Sequence, residues 1–227
     1  MSRSIVTSGG FQFDPDAAVA QLRVADARLA RLIDVAGPFR MQIKRRPSVF
    51  VALAEAIVYQ QLSGKAAGTI FHRVCDLFPR RRSGMTAQAL LEIPDPVLRG
   101  AGVSRNKALA LQDLAERTVA GEIPSLRVLR TMPDEEIVVV LTRVRGIGRW
   151  TAQMLLMWNL GRPDVLAVDD LGVRQGHAVI MGRKAVTDRK RLLAHAERWR
   201  PFRSVASWYL WRAVELARRE RALRDAV

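Results

Sequence analysis

The chain has 227 residues, with 37 Lys and Arg against 22 Asp and Glu for a formal charge of +15, and 49% of its residues are hydrophobic. That length and apolar fraction suit one domain or two small lobes around a packed core, and they argue against disorder. The single cysteine, Cys75, excludes a disulfide scaffold, a cysteine-held iron–sulfur cluster and a cysteine-rich zinc finger.

The longest aliphatic run, Ile137 to Leu141, is far too short to cross a membrane, and the N-terminus lacks an apolar stretch of signal-peptide length. A soluble, intracellular protein with no membrane partner is expected. A large positive excess on a folded domain points to a polyanionic partner. The charge is concentrated between Arg183 and Arg203, where Arg183, Lys184, Arg189, Lys190, Arg191, Arg198, Arg200 and Arg203 face only Asp188 and Glu197. The triplet Arg80-Arg81-Arg82 reads as a solvated loop.

Residues 1–10 read as a loose tail. Asp14-Pro15 is a helix cap followed by Pro at the first helical position, and Val19, Leu22, Leu29, Leu32 and Ile33 then recur at helical spacing until Gly37-Pro38. Ser48 opens a second helix with Phe50, Leu53, Ala54 and Ile57 on one face, which Ser63-Gly64 breaks. A third runs through Ala67, Ile70, Val74 and Leu77 to Pro79, and Asp95-Pro96 and Ser104 begin two more. Asp134, Glu135 and Glu136 lie in the first turn of the next, where they complement its dipole. A helix from near Arg149 is closed by Gly161 and Pro163, Thr187-Asp188 starts another, and Ser204 precedes the last long one. No alternating run is flanked by hairpin turn residues, so the fold class is all-α with about ten helices.

The stretch Leu141 to Ala152 carries the most information. A helix runs into Val144, followed by Gly146-Ile147-Gly148 and a second helix. Glycines at both hairpin positions permit positive φ and let a phosphate approach the backbone, while the start of the second helix offers N–H groups to an anion. Arg145 and Arg149 add charge, and Ile147 pins the turn to the core. This is the layout of a helix-hairpin-helix over roughly 134–160, a clamp on the DNA backbone without base readout. Downstream, Asp169-Asp170 follow an apolar stretch where a new helix begins. One Asp suffices as an N-cap, which leaves the other for chemistry.

The hairpin, the Gly161-Arg-Pro-Asp164 segment and the Asp169-Asp170 pair resemble the helix-hairpin-helix DNA glycosylase superfamily, and most closely its alkylation-type DNA-3-methyladenine glycosylases (type II). The resemblance extends to Ala56 through Ala67, Gly102 through Leu109 and Glu197 through Ser204. Some members carry an N-terminal β-rich domain for which this chain has no room, so the compact helical form is expected. The resemblance implies two helical lobes flanking an active-site cleft, one formed by 11–47 with 169–227 and the other by 48–168.

It also implies that Asp170 is catalytic, with Asp169 as the alternative. Breaking an N-glycosidic bond builds oxocarbenium character on the sugar, and a carboxylate stabilises that cation. Bifunctional relatives carry a Schiff-base lysine just after the hairpin. This chain has Trp150 there, so a monofunctional enzyme without lyase activity is expected. Trp150 and Trp211 match aromatic base-pocket positions, with Trp208 and Tyr59 as further candidates, whereas Trp158 and Trp199 read as core. Gln61 and Leu62, at the turn before Ser63, match the minor-groove wedge that fills the gap left by an everted base. Ser63, Lys65, Lys107 and Thr151 complete the implied DNA contacts, beside Arg145, Gly146, Ile147, Gly148 and Arg149.

His72, His177 and His195 lack metal-ligand spacing, so no metal and no cofactor are expected. The implied partner is double-stranded DNA containing alkylated bases, bound by a monomer in the cytoplasm of a bacterium or the nucleus of a eukaryote. Two alternatives stay open: a non-catalytic DNA-binding protein, and a glycosylase of different base specificity.

Overall fold

The computed structural model describes residues 10–78 and 84–225. The expected tail up to Gly10, the stop at Pro79 and the Arg80–Arg82 cluster fall, Gly10 apart, outside the described residues. Short polar side chains start most of the helices. Asp14, Asp26, Ser48, Ser63, Thr86, Ser125, Asp170 and Asp188 each accept a backbone N–H from the turn they open, a contribution of about 1 kcal/mol apiece. The resulting order is α1 (Pro15–Ala25), α2 (Ala27–Ala36), α3 (Val49–Tyr59), α4 (Gly64–Asp76), α5 (Ala87–Leu91), α6 (Asp95–Gly100), α7 (Arg105–Val119), α8 (Leu126–Leu129), α9 (Asp134–Leu141), α10 (Arg149–Trp158), α11 (Leu171–Ile180), α12 (Arg189–Ala196), a 3-10 turn (Glu197–Trp199) and α13 (Arg203–Asp225). The described residues contain no strand, as the all-α reading requires.

The first expected helix is in fact two. Asp26 takes extended dihedrals (φ −149°, ψ 106°) between α1 and α2 and is buried. Its carboxylate accepts from Arg28 N at 2.9 Å, Leu29 N at 3.2 Å and Trp199 Nε1 at 2.9 Å, and hydrogen-bonds His195 Nε2 at 2.6 Å. Burial works against this charge, but the hydrogen bonds outweigh it and hold the carboxyl below its usual range. The apolar spacing continues through the break, which is why periodicity alone missed it.

The chain divides into two compact units, Met1–Lys44 with Leu156–Val227, and Arg45–Leu155. The expected boundary at Val168 thus moves back to Leu156. Residues just after it are tied to the terminal unit. Lys44 N donates to Trp158 O at 2.7 Å, and Gln12 N donates to Gly161 O at 3.1 Å.

In the terminal unit, α11 and α13 pack backbone to backbone. A Cβ on Gly176 would fall 2.0 Å from the Leu210 carbonyl oxygen, so only glycine fits there. Leu22, Leu29, Trp199, Tyr209 and Leu210 are buried around this contact. In the central unit α3 is apolar almost all round, burying Val49 through Ala54 with Ile57 and Val58. It packs with the Ala108, Leu111 and Leu114 face of α7. Each such Leu or Ile contributes about 1.5–3 kcal/mol by leaving water. No helix among the described residues is long and apolar enough to cross a membrane.

Candidate functional site

The hairpin lies in the central unit between α9 and α10. Gly146 adopts φ +76°, a region costly for any residue with a Cβ. Gly148 does not use positive φ; its carbonyl accepts from Ala152 N at 3.1 Å and so opens α10. Beyond its immediate neighbours along the chain, no described heavy atom lies within 4 Å of where a Gly148 Cβ would stand, which leaves the backbone approachable. Ile147 is buried and anchors the turn. Arg149 forms a two-pronged ion pair with Glu135 (2.7 and 2.9 Å), which holds the Glu135 carboxyl below its usual range. A phosphate would therefore compete with Glu135 for this guanidinium.

The turn between α3 and α4 holds the expected wedge. Gln61 has φ +57°, the one positive value on a non-glycine residue among those described, and costs about 1–2 kcal/mol. Gln61 and Leu62 are exposed at its tip, and Ser63 caps α4 through its hydroxyl. Lys65 is exposed one residue into that helix.

In the terminal unit the segment before the aspartates is fixed by the start of α13. Arg203 Nε and Arg200 Nη1 each reach the Asp164 carboxylate at 2.6 Å, and Val165 N donates to Ser204 Oγ at 3.0 Å. Two of the sequence patches thereby meet, and they deliver Asp170 to the start of α11. Asp170 Oδ1 accepts from Val173 N at 2.8 Å and from the Trp211 indole N–H at 2.9 Å. Trp211 stacks on Trp158, with ring centroids 5.8 Å apart and planes inclined by 24°. A Cβ on Gly172 would lie 2.8 Å from Trp211 Cδ1 and 3.1 Å from Asp170 Oδ1, so the absence of a side chain there is what lets the indole reach the carboxylate.

The two aspartates differ in their surroundings. Asp170 is itself the cap, and Asp169 is exposed and ion-paired with Arg189 at 2.5 Å. Capping engages one oxygen and fixes the plane of the carboxylate, so it orients Asp170. Trp158, read from sequence as core, is half-buried and belongs to the Asp170–Trp211 cluster. Trp208 instead sits edge-on against Phe39 and Tyr209, at 5.0 and 4.9 Å. Neither of these ring contacts joins Trp208 to the Asp170–Trp211 cluster.

In the central unit, Tyr59 packs on Phe71 of α4, and its hydroxyl lies 3.3 Å from the Cβ position of Gly68. Trp150 is 44% exposed in the first turn of α10. Two expected DNA contacts are corrected. Thr151 is only 5% exposed, so its side chain lies inside the unit. Lys107 is half-buried and donates to Val58 O at 2.8 Å and Gln60 O at 2.7 Å, where burial lowers its pKa. It caps the C-terminus of α3. Gln60, which the resemblance places in the wedge turn, donates from Nε2 to Gly146 O at 2.8 Å, and Asp113, which sequence reasoning passed over, accepts at Oδ2 from Arg145 N at 2.7 Å. Among the described residues, no group of three or more His, Cys, Asp or Glu is placed to hold a metal ion.

Residues 54–201 match the family described as HhH-GPD superfamily base excision DNA repair protein. The chain is 34% identical over 195 residues to DNA-3-methyladenine glycosylase 1 of Schizosaccharomyces pombe, covering 84% of this chain and 82% of that one. A solved S. pombe 3-methyladenine DNA glycosylase in complex with abasic DNA superposes with a TM-score of 0.78 at 32% identity, over 86% of this chain and 95% of its own. A DNA-3-methyladenine glycosidase from Bacillus halodurans gives 0.78 at 35% identity, over 88% and 91%. With its hairpin, its tryptophan-held aspartate and these relatives, the chain belongs to the HhH-GPD superfamily of base excision DNA repair proteins.

Proposed function

We propose that this protein is a monofunctional DNA glycosylase that excises alkylated purines such as 3-methyladenine from duplex DNA, leaving an abasic site for base excision repair. The observation that carries this reading is the Asp170 carboxylate, oriented at the start of α11 and bonded to the indole of a stacked tryptophan pair. A protein that only clamps DNA has no use for such a cluster. The similarity to 3-methyladenine glycosylases, one of them solved on abasic DNA, supports the same reading.

The chemistry needs little acid catalysis. An alkylated purine already carries positive charge, so the bond from C1′ to the base breaks with its electron pair leaving on the base. The sugar becomes an oxocarbenium ion, which the Asp170 carboxylate stabilises electrostatically. Water then adds to C1′ and loses its proton to the carboxylate or to solvent. The faces of the Trp211 indole attract a cationic base by about 0.5–2 kcal/mol, which favours methylated over normal bases without reading their edges. The base reaches them by eversion, with Gln61 and Leu62 filling the gap. Arg145, Gly146, Gly148, Arg149, Ser63 and Lys65 grip the backbone of a duplex bound by one copy of the chain. With Trp150 after the hairpin and the Lys107 ammonium engaged with carbonyls, neither supplies an amine for a Schiff base.

Asp170→Asn tests the assignment cleanly, because asparagine is an equally good cap and keeps the Trp211 bond while removing the charge. Release of 3-methyladenine from a lesion duplex is expected to fall about 100-fold or more with duplex affinity unchanged, and Asp169→Asn to stay within about threefold. Undiminished release by Asp170→Asn would overturn the assignment. Borohydride is expected to trap no covalent DNA adduct, and a trapped adduct would overturn monofunctionality.

A further inference from the structure

We infer that one face of α7 is a splint joining the α3–α4 turn to the hairpin, which makes Lys107 and Gln60 positioning residues for base eversion. Lys107, Ala110 and Asp113 are spaced three apart and so share a stripe on that helix. Lys107 Nζ holds the Val58 and Gln60 carbonyls at the end of α3. Ala110 Cβ lies 3.4 Å from where a Cβ on Gly146 would stand. Asp113 Oδ2 accepts the Arg145 N–H at 2.7 Å. Gln60 closes the circuit directly, donating from Nε2 to Gly146 O at 2.8 Å. The residue after Gln60 is Gln61, held at φ +57°, and the next is the exposed Leu62.

The physical consequence follows from what each end does. The hairpin grips phosphate, and the turn presents the tip that enters the space vacated by a base. A clamp alone asks nothing of residues 58–62. Rigid coupling makes the tip advance with the grip, so that phosphate binding energy drives eversion. The splint rests on the eversion reading above, and it differs from a plain helix cap in what it predicts. Loss of a cap lowers stability, whereas loss of the splint separates grip from eversion.

The test uses Gln60→Leu and Lys107→Met in the full-length protein, with thermal melting to verify folding. Gln60→Leu lies at the half-buried turn and keeps the experiment decisive should Lys107→Met unfold. The probes are duplexes with 7-methylguanine opposite cytosine or mismatched with thymine, each with a neighbouring 2-aminopurine whose fluorescence rises when the lesion base unstacks. Both variants are expected to bind lesion-free duplex within about threefold of the unsubstituted protein, while the fluorescence rise and single-turnover release on the paired lesion slow at least about tenfold. On the mismatched lesion, which costs less to evert, the slowing should shrink to within about threefold. Equal slowing in both contexts, no slowing in either, or a parallel loss of lesion-free affinity would overturn the splint. Absence of any fluorescence rise with the unsubstituted protein would instead overturn the eversion reading, and the splint with it.

Discussion

At the scale of single residues, Gly172 separates what the site needs from what the fold needs. It occupies the first turn of α11, where alanine is intrinsically better by about 1 kcal/mol. Its Cβ, however, would lie 2.8 Å from an indole already stacked on Trp158, so Trp211 must move and its bond to Asp170 must stretch. Gly172→Ala is therefore expected to change the melting temperature little, the gain in helix propensity offsetting part of the cost of moving the indole, while single-turnover base release falls at least about tenfold. Unchanged release would show that the Trp211–Asp170 contact is dispensable. The aspartate pair stood out in the sequence by its place at a helix start, and the roles of Asp170 and Trp211 came only from the family resemblance. The parts played by Trp158, Gly172 and Gln60 were not legible. A tryptophan on an apolar helix, a glycine near a helix start and a glutamine in a turn each have an ordinary structural explanation, and only the distances reveal the second one.

At the scale of elements, helix starts were legible at Asp14, Ser48, Ser63 and Asp188, where a short polar residue precedes a sustained apolar run, but not at Thr86 and Ser125, whose helices are only five and four residues long. The α1–α2 break was hidden because Asp26 has its partners in residues about 170 positions away, His195 and Trp199. That junction is also where stability responds to pH. His177 is buried beside His195, at 4.8 Å between ring centroids, and its Nδ1 hydrogen-bonds Thr187 Oγ1 at 2.9 Å. Its Nε2 finds no hydrogen-bond partner among the described residues. Burial and then the neighbouring His195 push its pKa down to about 4 from an ordinary 6.5. Between those values the unfolded chain takes up a proton that the folded one refuses, so stability falls as pH drops through that window. Asp26 adds nothing to this decline, since its folded pKa lies below 3.8 and its contribution is lost only in stronger acid. Thermal melting from neutral pH toward about 4.5 should therefore show a falling midpoint, and His177→Asn, which can keep the Thr187 bond, should flatten that fall by about half or more. An unaltered pH slope would place the acid sensitivity elsewhere.

At the scale of the whole molecule, the formal charge of +15 overstates what DNA can use. Within the basic stretch that sequence analysis singled out, Arg189 is paired with Asp169, Arg191 with Asp188, and Arg200 and Arg203 with Asp164. Arg149 in the hairpin is paired with Glu135. These pairs are already subtracted in the +15, so the limit is how much of the remaining excess a single face can bring to a duplex. Each phosphate contact contributes about −0.9 to the slope of log affinity against log salt, so full use of the excess would give about −14. One face of the chain presents only part of that excess to a duplex, so far fewer contacts, and a slope of about −4, corresponding to four or five phosphates, are expected. Fluorescence anisotropy of a labelled duplex over roughly 50 to 300 mM potassium chloride reads this directly. A flat response would remove the basic surface as the DNA footprint, and a slope near −14 would mean that almost the whole excess contacts phosphate. The two extremes differ in kind: in the first the grip is steric and polar, and in the second the duplex is wrapped by most of the basic surface.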